Sequence, residues 1–196
     1  MKKVAFVVSH LGSGSLDLMR VLNKNPRVVI HNQSVQYTHP TDLDWLYKFG
    51  HKLDNTAAVY GDHLVNNVSF SCKALYDHCL FIYVVRSAKP TLHEIISHNS
   101  YTLENAASYY AFRLRRICEM AKQTPGAVML TWEDLANEQG LPLIDEYLGL
   151  KESLRFVNEF EENCEDHLEH SVIEKAQDAY ERHLYYLKQL DLNRVT

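Results

Sequence analysis

Near its amino terminus the chain reads Ser9-His10-Leu11-Gly12-Ser13-Gly14-Ser15, just after an apolar run and just before an amphipathic stretch that begins at Leu16. A strand that passes through a Gly/Ser turn into a helix is one way to hold phosphate. Glycines let successive backbone N–H groups converge on an anion, and the helix N-terminus adds partial positive charge. Ser13 and Ser15 offer hydroxyl donors from the same turn. The Lys-Ser/Thr ending that serves Mg²⁺-ATP is missing, because Ser15 and Leu16 follow Gly14. That points away from a kinase and toward a phosphate donor used without metal. A turn shaped only by sterics would carry the same glycines.

Two more polar clusters close apolar runs. Gly61-Asp62-His63-Leu64 is one, and Arg86-Ser87-Ala88-Lys89 follows Phe81-Ile82-Tyr83-Val84-Val85. A guanidinium at a strand end can fork onto a phosphate or pair with a nearby carboxylate. A histidine in the same setting can take a proton near neutral pH, or cap the helix that follows. His167 and His170 share helical spacing, but with no third ligand in view they read as solvated surface, and no metal is expected. Tyr101, Tyr109, Tyr110 and Phe112 either face an acceptor pocket or pack in the core. The carboxylates of Trp132-Glu133-Asp134 read as helix caps or as structural partners of an arginine.

These clusters need a frame. Strands are expected over 3–8, 27–31, 57–61, 80–85 and 127–131, and helices over 16–23, 41–52, 69–77, 89–98, 103–122, 141–148 and 171–190. Strands alternating with helices predict a three-layer α/β fold, a mostly parallel sheet flanked by helices. Ligands of such sheets bind beyond the carboxyl ends of the strands, where the three polar clusters converge if their strands are neighbours. One domain is expected over 1–196, an α/β core to residue 150 and a helical C-terminal cap from 151.

Composition narrows the partners. A net charge of −5 gives no support for bulk nucleic-acid binding, so an anion site has to be a local concentration of donors. No apolar run approaches the roughly 18 residues of a membrane span. Lys2 and Lys3 precede too short an apolar run for a signal peptide, so a cytoplasmic protein is expected. Cys72, Cys79, Cys118 and Cys164 lack metal-ligand spacing and are expected to be free thiols. Nothing in the pattern specifies an oligomeric state.

The ordered set of Gly/Ser loop, Asp62-His63-Leu64, Phe81-Ile82-Tyr83-Val84-Val85-Arg86-Ser87-Ala88-Lys89 and Leu130-Thr131-Trp132-Glu133-Asp134-Leu135 resembles the sulfotransferase family over residues 3–150. The resemblance implies a P-loop NTPase-like fold and transfer of a sulfuryl group from 3′-phosphoadenosine 5′-phosphosulfate to a hydroxyl or amine of a small-molecule or glycan acceptor. By position, His10, Leu11, Gly12, Ser13, Gly14 and Ser15 would cradle the 5′-phosphosulfate, and Arg86 with Ser87 would grip the 3′-phosphate. His63 falls where the cytosolic branch of that family has a Thr-His-Leu-Pro motif, whose histidine is the general base.

The departures from the pattern are specific. His10 stands two residues before Gly12, where the family usually has Lys or Arg; protonated, it would supply the missing charge. Glu94 stands where the family has the serine that holds the 3′-phosphate, so Ser87, Thr91 or Ser97 would have to substitute. Gly61 replaces a lysine found in some members, and no Arg-Lys-Gly segment lies near the C-terminus. Two readings follow: a small sulfotransferase with His63 and His10 as catalytic groups, or a catalytically degenerate relative that binds a nucleotide or a partner.

Overall fold

The first strand, β1 (Lys3–Ser9), is apolar on both sides: Val4, Phe6 and Val8 enter one core cluster, and Ala5 and Val7 enter another. A strand buried on both faces needs a layer of helices on each. A computed structural model describes residues 3–32, 44, 47–48, 57–66, 73–98, 100–150, 154 and 169–195. After β1 come α1 (Ser15–Lys24), β2 (Val28–His31), β3 (Val59–Leu64), a 3₁₀ turn (Lys73–His78), β4 (Cys79–Val85), α2 (Ala88–His98) and α3 (Leu103–Ala121). Then follow β5 (Val128–Thr131), α4 (Trp132–Ala136), α5 (Gly140–Leu148) and α6 (His170–Gln189). Helices α1, α4 and α5 pack on the Ala5/Val7 side, and α2, α3 and α6 pack on the Phe6 side.

The strand order is β2-β3-β1-β4-β5 and every pairing is parallel. Val8 lies opposite Leu64 of β3 and Tyr83 of β4, so the carboxyl ends of the three central strands are level. The chain leaves β1 toward one edge, returns through β3, and crosses to β4 on the other flank. The direction of winding therefore changes at β1, where open α/β sheets place their ligands.

Most elements fall where the hydrophobic pattern puts them, and three differ. The expected strand 57–61 runs instead over Val59–Leu64, because Asp62 and His63 are buried with partners and continue the ladder. The expected parallel sheet is present, with every pairing among the described strands parallel. Of the expected helix over 69–77, residues 73–77 belong to the 3₁₀ turn Lys73–His78, and 69–72 lie outside the described residues. The short α4 was not expected; Thr131 caps it, with Asp134 accepting from the Thr131 amide at 2.7 Å in a reciprocal box. The expected helix over 41–52 lies outside the described residues apart from 44, 47 and 48.

At the end of α6 the chain turns back beside β5. Asn193 pairs with Val128, donating its amide to the Ala127 carbonyl at 2.8 Å and accepting from the Met129 amide at 2.9 Å. Among the described residues, no helix is long and apolar enough to cross a membrane.

Candidate anion site at the carboxyl edge of the sheet

The loop between β1 and α1 is shaped by two glycines in the left-handed region, Gly12 at φ 71° and Gly14 at φ 77°. Both are also sterically required. A methyl group on Gly14 would lie 2.1 Å from Trp132 Cζ3, and one on Gly12 would lie 2.9 Å from the Thr91 carbonyl oxygen. Gly14 is the N-cap residue of α1, and its carbonyl accepts from the amide of Asp17 at 3.1 Å. The Ser15 amide donates to Ser13 Oγ at 3.3 Å, while the amides of Ser13, Gly14 and Leu16 donate to no other described residue. Residues 10–17 line one cleft with Arg20, Asn32, His63, Val65 and Glu94. Unsatisfied amides at a helix N-terminus, opening on a cleft, form a ready anion site.

His63 is built into this loop. Its Nε2 lies 2.7 Å from Ser9 Oγ and 2.8 Å from Ser15 Oγ, and Ser13 donates its hydroxyl to Ser15 Oγ at 2.9 Å. Nδ1 lies 3.1 Å from Asn32 Oδ1, an acceptor, so Nδ1 carries the proton and Nε2 presents a lone pair to the serine hydroxyls. Burial, then the Arg113 guanidinium, push the His63 pKa down from 6.5 to about 4, so the ring is neutral at pH 7. Asp62 points to the other side of the strand and takes the His63 amide at 2.7 Å; Asn32, not Asp62, orients the imidazole.

His10 does not stand as a free cation. Its Nδ1 donates to the Leu11 carbonyl at 2.8 Å, and its Nε2 accepts from the Arg86 amide at 3.1 Å. Both nitrogens are used in the neutral form, and the ring meets Tyr110 edge-on with centroids 4.9 Å apart. Desolvation by complete burial holds its pKa at about 4, with Arg113 and Arg86 adding to the fall. The expectation of a protonated His10 replacing the loop's missing lysine is corrected here: the residue is a neutral strut between the loop and the end of β4.

Of the two roles open to Arg86, the structure has the carboxylate pairing. Nη1 donates to Glu94 Oε2 at 2.9 Å and to the Gly12 carbonyl at 3.2 Å, and the guanidinium lies over Trp132, 4.9 Å from the ring centroid. Ser87 is half-buried, and its carbonyl accepts from Thr91 Oγ1 at 2.7 Å; the Thr91 hydroxyl thus closes a helical turn.

Three more residues complete the site: Arg113 and Asn32, which sequence reasoning did not single out, and Trp132, which entered it only within the segment 130–135. Arg113 is 1% exposed and ties the strand ends together, donating to the Ser9 carbonyl at 2.8 Å and to the Leu64 carbonyl at 2.6 Å. Trp132 fills the space that Gly14 leaves open. Asn32 fixes the His63 tautomer. Tyr109, read only as pocket or core, accepts from the Leu11 amide at 3.1 Å and donates to the Val65 carbonyl at 3.4 Å. Only the helical periodicity hinted at Arg113, which occupies the buried face of α3. His170, by contrast, is exposed and pairs with Glu174 at 3.2 Å; His167 lies outside the described residues.

No protein-family model and no curated protein matches the sequence. The fold does match solved structures. The mouse sulfotransferase SULT7A1 complexed with PAP superposes with a TM-score of 0.62 at 13% identity, over 97% of this chain and 90% of that one. The sulfotransferase domain of the Synechococcus PCC 7002 olefin synthase gives 0.56 at 14% identity, over 96% and 95%. Retinol dehydratase, in complex with androsterone and the inactive cofactor PAP, gives 0.51 at 10% identity, over 97% and 82%. The chain has the fold of the sulfotransferases.

Proposed function

We propose that this protein transfers a sulfuryl group from an adenosine 5′-phosphosulfate donor, the class that includes 3′-phosphoadenosine 5′-phosphosulfate, to a hydroxyl or amine of a small-molecule or glycan acceptor. The observation that carries the reading is the direct link between the anion loop and a neutral histidine: Ser15, first residue of α1, is bonded to His63 Nε2. Two of the similar structures hold PAP, 3′-phosphoadenosine 5′-phosphate, which supports a nucleotide at the same edge of the sheet.

In this reading the amides of Ser13, Gly14 and Leu16 receive the charge that develops on the departing phosphate as the S–O bond to it breaks. The acceptor oxygen forms the new S–O bond from the opposite side. Its proton passes to His63 Nε2 through the Ser15 hydroxyl, which lines the cleft and lies 2.8 Å from that nitrogen. A pKa of about 4 makes His63 a weak base in the empty site, and an anion bound beside the ring raises it toward the working range.

The test is transfer of labelled sulfuryl from the donor to a panel of phenols, sugars and amines, by wild type and His63→Ala. Loss of about 10²–10⁴-fold in turnover is expected for the variant, with nucleotide affinity little changed. Retention of most of the rate places the base elsewhere. The withdrawn Arg86 and neutral His10 favour one alternative, a nucleotide-binding relative without transfer activity. Tight nucleotide binding with no acceptor sulfated would select it.

A further inference from the structure

The loop amides open on the cleft. Two carboxylates, Asp17 and Glu94, line the same cleft together with the Arg20 guanidinium. Asp17 is held by Arg20 at 2.7 Å. Glu94 lies beside the loop itself: its Cβ would be 3.4 Å from a methyl group on Gly12. Arg86 sits behind Glu94 with its side chain 9% exposed and its Nη1 shared between Glu94 and the Gly12 carbonyl. A ligand anchored by its anionic group at the loop therefore meets a carboxylate next, with the arginine behind it.

A ribose hydroxyl suits that surface, because it donates to the carboxylate. A second phosphate does not: it would bring a dianion to hydrogen-bonding distance of Glu94, and rotating the side chain aside leaves its charge in the same cleft. The same chemistry separates nucleotide sites elsewhere, an acidic residue reading a free ribose hydroxyl and an arginine accommodating a phosphate at that position. We propose that Glu94 makes this site selective for a nucleotide whose ribose hydroxyls are free and excludes one that is phosphorylated on the ribose. This rests on the nucleotide reading given above. It makes the donor an adenosine 5′-phosphosulfate with a 3′-hydroxyl, contrary to the 3′-phosphorylated donor that the sequence resemblance implies.

The experiment is calorimetric titration of the intact chain with adenosine 5′-phosphate and with 3′-phosphoadenosine 5′-phosphate, in wild type and Glu94→Gln. Wild type is expected to bind the free-hydroxyl nucleotide about tenfold more tightly. Glu94→Gln is expected to gain about tenfold for the 3′-phosphorylated one, because the repulsion is gone and Arg86 is released. Glu94 is half-exposed, so Gln is readily accommodated; Glu94→Ser is the second variant and is expected to shift preference the same way. Wild type binding the 3′-phosphorylated nucleotide as tightly as the other, or variants that leave the ratio unchanged, would overturn the selectivity and leave the nucleotide site standing. Binding of neither nucleotide by any of the proteins would overturn the nucleotide reading and the selectivity with it.

Discussion

His63 Nε2 and Ser15 Oγ are 2.8 Å apart, so the buried imidazole at the end of β3 is hydrogen-bonded to the first residue of α1. The same nitrogen holds Ser9 at 2.7 Å, at the last position of β1. Any change in the charge of the ring is therefore felt by the loop.

Acid should destabilise the fold through the two buried histidines. His10 and His63 both have folded values near 4, below the unfolded value of about 6.5, so the unfolded chain binds more protons between those limits. Their stabilising contribution is complete above about pH 6.5 and is lost as pH falls toward 4. The slope is at most about 1.4 kcal/mol per pH unit for each histidine. Urea midpoints at about pH 7 and pH 5, compared in wild type and His63→Gln, check this; the variant should show the shallower dependence.

Nucleotide affinity should not follow a titration of His10. The ring is neutral, with both nitrogens committed to the Leu11 carbonyl and the Arg86 amide. Across roughly pH 6 to 8.5 that residue contributes no change of charge, because its value lies about two units below the range. Calorimetry over this interval with wild type and His10→Asn should give parallel curves. A His10-dependent weakening as pH rises would restore the protonated cation.

Gly14→Ala should be costly and Gly126→Ala cheap, although the two glycines have similar φ values of 77° and 75°. At Gly126 a methyl group meets nothing within 4 Å, so only the left-handed backbone costs, roughly 1 kcal/mol. At Gly14 it would strike Trp132 as well, and about 2–4 kcal/mol is expected in all. Thermal unfolding of the two variants side by side separates sterics from backbone strain.

Arg113→Met should destabilise the protein by about 2–4 kcal/mol, because it leaves the Ser9 and Leu64 carbonyls without their buried donor. It should also raise the pKa of His63, whose charge the guanidinium opposes. The imidazole titration is readable by NMR. A drop in stability with no movement of that titration would make Arg113 purely structural.

The frame was legible in the sequence because it rests on local signals. The apolar runs of β1 and β4, the paired glycines of the loop and the helical spacing of α2, α3, α5 and α6 each point to one element. The convergence of Gly12–Ser15, His63 and Arg86 was legible only on the condition that β3, β1 and β4 are neighbours, which the pairing meets. What the sequence hid depends on partners distant in the chain. Asp62 and His63 read as a strand end because polar residues seldom continue a buried strand; the partners of His63, Ser9 and Asn32, lie 54 and 31 residues away. His10 read as a potential cation because local sequence does not reveal burial by Tyr110 or capture by the Arg86 amide. The pairing of Arg86 with Glu94 spans eight residues and was open to both readings until α2 fixed the distance.

The central claim is that the loop of residues 12–15 and the start of α1 hold the 5′-anionic group of a nucleotide. The most direct measurement is amide NMR of ¹⁵N-labelled protein during titration with adenosine 5′-phosphate. The account predicts that the amides of Ser13, Gly14 and Leu16, which donate to no other described residue, shift furthest, and that Gly14→Ala abolishes the shifts. Saturable shifts centred elsewhere on the molecule, with these three amides unmoved, would contradict it.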